Sequence, residues 1–281
     1  MNNLTNYHSH TSFCDGKAPM EAFIAEAVRQ GFTSYGVSSH APLPFRTRWT
    51  IDDREQTRLY LQEFARLKRL YGDRIELYVG LEIDYMDEDQ QPANDYFQSL
   101  PLDYRIGSVH LLHSTQGEIV DIDTRPEVFR EHVRLHLGGD LKRVVLAYFD
   151  KLMRMIGRGG FDFIGHADKI SYNVSCCEPD ILGQQWYKDK ISEYFTFIAE
   201  KGAMIEVNTK TLHRNGFLYP NKEHFGLIRT LGIPVVVNSD AHLPELINSG
   251  RPEALRLLKA SGIGAVWQLE RGVWTEVPIG E

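Results

Sequence analysis

Cysteine is scarce in this chain of 281 residues: there are three, and Cys176 and Cys177 are adjacent and too close for easy bridging. No disulfide framework is implied, and a reducing cytoplasm is the expected compartment. The amino terminus has no charged-then-apolar leader and no apolar run approaches a membrane span, so neither secretion nor membrane anchoring is expected. Basic clusters are missing as well. With a net charge of −7, no arginine cluster and no aromatic series for stacking single strands, the footprint of a nucleic-acid binder is absent. No linker, internal repeat or low-complexity segment interrupts the chain, and residues 1–281 read as one domain.

What is present is a regular alternation. Segments rich in β-branched and aromatic residues predict strands near Leu4–His8, Ser34–Ser38, Glu76–Glu82, Tyr104–Val109, Phe161–Gly165, Ala203–Asn208 and Pro234–Asn238, with helical patterns between them. Pro19 opens a helix that Gly31 stops. The pattern from Asp52 to Leu70 places Leu59, Phe64, Leu67 and Leu70 on one face, and Gly72 closes it. Leu141 to Ile156 ends at Gly157, and Tyr187 to Ala199 carries an apolar stripe ending at Gly202. This is an α/β chain of seven parallel βα repeats, followed from Gly264 by a short hairpin expected to cover one end.

Nine candidate metal ligands fall at or just after the predicted strand ends: His8, His10, Asp15, His40, Glu82, His110, His166, Asp240 and His242. In parallel βα folds that edge is where ligands bind. His8 and His10, two apart, share one face of an extended segment and can grip one ion, whereas a turn at Ala241 suits Asp240 and His242 to different ions. Any one of these histidines alone reads as a hydrogen-bonded core or surface residue; the set together reads as a metal site. Imidazole and carboxylate without thiolate suit zinc, manganese or iron, and nine ligands need two or three ions. Such a pocket would be locally positive inside an acidic protein, a setting for a phosphate dianion.

Lys169, Lys210 and Arg214 follow strand ends and are candidates for substrate binding, with surface solvation as the alternative. His132 and His136, four apart on a helix, read as a solvated face; His113, His213 and His224 lie in loops or at helix starts. Arg46 and Arg48 sit on a segment after His40 that reads as a cover, and Cys14 as a small packed residue.

With these residues assembled, the chain resembles the polymerase and histidinol phosphatase (PHP) superfamily over essentially its full length. The matching motifs are His8-Ser9-His10, Asp15, His40, Gly80-Leu81-Glu82, His110, His166 and Asp240-Ala241-His242. The resemblance implies a distorted seven-stranded barrel of TIM-like type holding three metals. It implies His8, His10, Glu82 and Asp240 at the first ion, Glu82, His110 and His166 at the second, and Asp15, His40 and His242 at the third. The third site often has His where this chain has Asp15. Within the superfamily, Ser39-His40-Ala41-Pro42-Leu43-Pro44 resembles the histidinol-phosphatase branch, which implies hydrolysis of L-histidinol phosphate. Asp84, Asp168 and Glu206 are then candidates for the substrate's amine.

The expected mechanism is attack on phosphorus by a hydroxide bridging the metals, with Glu82, Asp240 and His242 as catalytic residues and Lys210 or Arg214 adding charge from the rim. Asp240, His242 or water would supply the proton to the leaving alkoxide. Two other readings compete: a sibling phosphoesterase acting on nucleotides or nucleic-acid ends, and a non-enzymatic metal-binding module.

Overall fold

The computed structural model describes residues 4–280. Its strands are β1 (Thr5–Asn6), β2 (Ser34–Val37), β3 (Glu76–Asp84), β4 (Tyr104–Ser108), β5 (Leu111–His113), β6 (Ile119–Asp121), β7 (Phe163–Ile164), β8 (Met204–Asn208), β9 (Val235–Asn238), β10 (Ala265–Glu270) and β11 (Val273–Pro278). Seven of them form one sheet in the order β1-β2-β3-β4-β7-β8-β9, every neighbouring pair parallel. The sheet curls until its edges meet. Tyr7 N–H donates to Asn238 Oδ1 and Ser239 N–H to Asn6 Oδ1. Just beyond, His10 N–H donates to the Ala241 carbonyl at 2.8 Å. The result is a nearly closed α/β barrel with helices outside, as the alternation predicts.

The helices form where caps and apolar spacing coincide. Met20–Gln30 ends at Gly31, whose φ of 77° is the left-handed conformation that a residue without Cβ adopts freely. Arg54–Tyr71 starts at Asp53, whose carboxylate accepts from Gln56 N–H. Its buried face is Thr57, Tyr60, Phe64 and Leu67, while Leu59 and Leu70 are exposed. The expected stripe was therefore rotated: Tyr60, placed by its hydroxyl bond to the Gly80 carbonyl, takes the inward position. The third long helix runs through Gly157 to Arg158 and stops at Gly159. Gln185–Glu200 packs Tyr187, Ile191, Tyr194 and Ile198 inward.

Two features position the site. The barrel interior is filled at its N-terminal end by Tyr7, Tyr104, Ile106, Phe163 and Val236. Tyr104 is admitted because Gly36 and Gly80 face its ring, where a Cβ at either position would collide with it. The β10–β11 hairpin closes that end, with Trp274 edge-on to Tyr7 at 5.3 Å and donating to Asp162. The second feature was not foreseen: β5 and β6 form an antiparallel hairpin immediately after His110.

Candidate metal centre

All nine candidate ligands converge at the C-terminal mouth of the barrel. They form overlapping groups of donor atoms: His10, Asp15, His40 and His242; His8, His10 and Glu82; His8, His166 and Asp240; and His40, Glu82 and His110. Glu82 lies inside β3, two residues short of its end, and reaches the mouth because β3 runs on to Asp84. His166 and Asp240 have φ of 28° and 48°, values that side chains bearing a Cβ adopt at a cost. Backbone strain thus falls on two of the nine.

The Glu82 carboxylate is the hub. Its Oε2 is 3.1 Å from His8 Nε2, 3.5 Å from His10 Nε2 and 3.0 Å from His40 Nδ1. Its Oε1 is 2.8 Å from His166 Nε2 and 3.5 Å from His110 Nε2, and accepts from Ser108 Oγ. Asp240 Oδ1 is 3.1 Å from His10 Nε2, and Asp15 Oδ2 is 3.2 Å from His242 Nε2. His10 and His40 each stand within reach of two groups, so the geometry binds the groups more closely together than three separate sites would.

Buried acids behind the ligands fix their tautomers. Asp84 accepts from both Nδ1 and the backbone N–H of His110, and Glu206 from His8 Nδ1 and His166 N–H. In His8 and His110, whose Nδ1 is engaged this way, Nε2 turns inward to Glu82. Asn208 and Asn238 satisfy the remaining Glu206 contacts. Asp168 lies elsewhere, accepting from Asn221 N–H. These three acids are therefore engaged inside the protein, which corrects the expectation that they face a substrate amine.

The donor set suits divalent ions. His8 Nε2, His10 Nε2, Asp15 Oδ1, His40 Nδ1 and Glu82 Oε2 are buried polar atoms without a hydrogen-bond partner, and such atoms cost free energy unless something binds them. Protonation divides the set: against burial, the facing carboxylates raise His8 well above its usual range and His110 to about 10, whereas His10 and His40 are lowered. Burial, with neighbouring imidazoles adding to it, pushes His10 well below its usual range, and burial brings His40 to about 4 against the pull of Glu82. Both are thus neutral, the form a metal requires. Burial alone would raise Glu82, but the surrounding imidazoles hold it well below the carboxylate range.

The other candidates separate. Lys210 lines the cavity above the ligands, its Nζ 3.1 Å from Asp240 Oδ1. Lys169 is buried and paired with Asp123 at 3.1 Å, so its alternative as a solvated surface residue is corrected. Arg214 is exposed on the short helix Leu212–Asn215 and does not line that cavity, and His213 is exposed beside it. His132 is not on a solvated face: its Nδ1 donates to the Asp121 carbonyl, whereas His136 is exposed. His224 approaches Asp168 at 3.8 Å, and Cys14 is half-buried against His10. His113 lines a separate cavity of about 560 Å³ beside the helix Leu141–Arg158, which contains none of the nine. After His40, Phe45 and Trp49 pack against Leu43, Met86 and Leu111, with Arg46 and Arg48 pointing to solvent. Three cavity residues were missed by sequence reasoning: Trp49, Asp121 and Asp123.

No helix among the described residues is long and apolar enough to cross a membrane. The PHP domain model matches residues 6–210. A protein of Schizosaccharomyces pombe named "Probable histidinol-phosphatase" is 26% identical, over 94% of this chain and 89% of its own. The Bacillus subtilis protein named "Histidinol-phosphatase" is 24% identical, over 84% and 92%. Among solved structures, a Lactococcus lactis histidinol phosphate phosphatase complexed with zinc, L-histidinol and phosphate superposes with a TM-score of 0.71 at 16% identity, covering 97% of this chain and 99% of that one. A Listeria monocytogenes structure gives 0.80 at 22%, covering 89% and 99%. The barrel, the hub carboxylate and the family match agree, and the chain belongs to the PHP domain family.

Proposed function

We propose that this chain is a metal-dependent phosphomonoester hydrolase that converts L-histidinol phosphate and water to L-histidinol and phosphate in histidine biosynthesis. One observation carries the reading: a buried carboxylate, Glu82, with five imidazoles within 3.5 Å of its oxygens, is an arrangement that side chains alone leave unsatisfied. The named relatives support the substrate, and the zinc in the Lactococcus lactis structure supports the metal class. Two or three ions of zinc, manganese or iron would be held by His8, His10, Asp15, His40, Glu82, His110, His166, Asp240 and His242.

Bound there, such ions supply Lewis-acid charge for phosphate oxygens and lower the pKa of water toward neutrality. The chain's own residues supply the rest. Lys210 places a cation on the cavity wall for the phosphate, and its pairing with Asp240 keeps it there. As the P–O bond breaks, the departing alkoxide needs a proton. His242, on the cavity wall, and Asp240, paired with Lys210, are the candidate donors beside water. The described residues, 4–280, read as one barrel domain, and the three unpaired cysteines suit a cytoplasmic setting.

The test is a panel of histidinol phosphate, nucleoside monophosphates and a short oligonucleotide, assayed before chelation, after it, and after return of zinc, manganese or iron, with elemental analysis of the protein. Chelator-sensitive, metal-restored preference for histidinol phosphate is expected. Preference for the oligonucleotide would replace the substrate, and bound metal with no turnover of any phosphoester would leave a metal-binding module.

A further inference from the structure

A carboxylate on the wall of a cavity that receives a phosphate dianion opposes its ligand by charge, so its presence there calls for a cation. The cavity over the metal ligands has three acids on its wall: Asp15, Asp121 and Asp123. Asp15 faces His242, within the ligand set. Asp123 is neutralised by the Lys169 ammonium at 3.1 Å. Asp121 makes no ion pair among the described residues; its Oδ1 accepts only the Asp123 backbone N–H, at 2.8 Å.

Asp121 is nonetheless held firmly. It ends β6 in register with Leu111, the residue after the ligand His110. Its carbonyl accepts from His132 Nδ1, and the next residue, Ile122, donates to the His110 carbonyl at 2.9 Å. An unpaired acid thus stands at a fixed distance from a ligand. In L-histidinol phosphate the ammonium is borne by the carbon next to the phosphorylated CH2, so whatever recognises it must stand beside the phosphate. The acids behind the ligands, Asp84 and Glu206, already accept from His110, His8 and His166.

We propose that Asp121 selects amino-alcohol phosphates, its free carboxylate oxygen accepting the substrate's ammonium group while the Asp123 backbone N–H holds the other oxygen. This rests on the phosphatase reading above and names the group that gives it selectivity. It also assigns Lys169 a part: by neutralising Asp123 it leaves Asp121 as the one acid on that wall with charge to offer.

The experiment compares histidinol phosphate with its deamino analogue, 3-(imidazol-4-yl)propyl phosphate, on the metal-loaded wild-type protein and on Asp121→Asn, which keeps an acceptor for the Asp123 N–H. Wild type should prefer the amine substrate, and the substitution should lower kcat/KM for it by about ten- to a hundredfold, mainly through KM, while the analogue stays within about twofold. Equal loss on both compounds, or no loss on either, would overturn the inference. So would a wild-type protein indifferent to the amine, a result that needs no variant to fold. Wild-type failure to hydrolyse either compound would remove the histidinol-phosphate reading itself, and the inference with it.

Discussion

Glu206 Oε1 accepts from His8 Nδ1 at 2.7 Å while its Oε2 accepts from the His166 backbone N–H at 2.8 Å, so one fully buried acid orients the His8 ring and pins the backbone at His166, two candidate ligands that follow separate strands. Partners of this kind fix ring orientation and raise ligand basicity. Glu206→Gln is expected to weaken metal retention about ten- to a hundredfold while the barrel stays folded. Metal titration against a competing chelator, with circular dichroism as the control, checks it. Unchanged affinity would mean the acid is only a packing element.

Glu82 is held differently, as the hub itself. Glu82→Gln keeps the shape but loses the charge that faces five imidazoles, and should lower both metal content and turnover by about a hundredfold or more. Elemental analysis beside activity is the measurement. A variant with full metal content and near-normal rate would refute the central site.

Lys210 and Arg214 make a contrast within one loop. Lys210 lines the cavity and pairs with Asp240, whereas Arg214 is exposed outside it. Lys210→Met should raise KM for a phosphomonoester about tenfold or more, and Arg214→Met should stay within about twofold. Steady-state kinetics on both variants decides, and the reverse order would show that the loop rearranges around substrate.

Asp168 links stability to pH. Burial pushes its carboxyl from 3.8 up to about 7, against the hydrogen bond from Asn221 N–H. A folded-state value above the unfolded one means the native protein binds the proton more tightly. The stability this contributes is complete below the unfolded value and is lost as pH rises through about 7. Its slope is at most about 1.4 kcal/mol per pH unit. Chemical denaturation from pH 4 to 8 should therefore show a decline in wild type that Asp168→Asn flattens. Parallel curves would place the proton elsewhere.

Much of this was legible because parallel βα repeats deliver function at one edge. A His or Asp after each apolar run could be assigned to the same mouth without knowing the structure, and all nine meet there. What the sequence concealed is through-space engagement. Asp84 and Glu206 looked like free acids, since nothing in the local pattern says that His110 and His8 lie against them. The β5–β6 hairpin escaped because its three-residue strands are too short to show a period, and Asp121 and Asp123 were lost with it. At Leu59 and Leu70 apolar character misled, because Tyr60 claims the inward face by its bond to Gly80.

The aromatic filling of the barrel has a kinetic consequence. Tyr7, Tyr104 and Phe163, backed by Trp274, fill the barrel interior at the end away from the candidate ligands. A reactant and the fragments of its cleavage are then expected to pass through the mouth lined by Trp49 and Lys210. On the phosphatase reading, inorganic phosphate leaving by that mouth would compete with the next substrate for the same cavity.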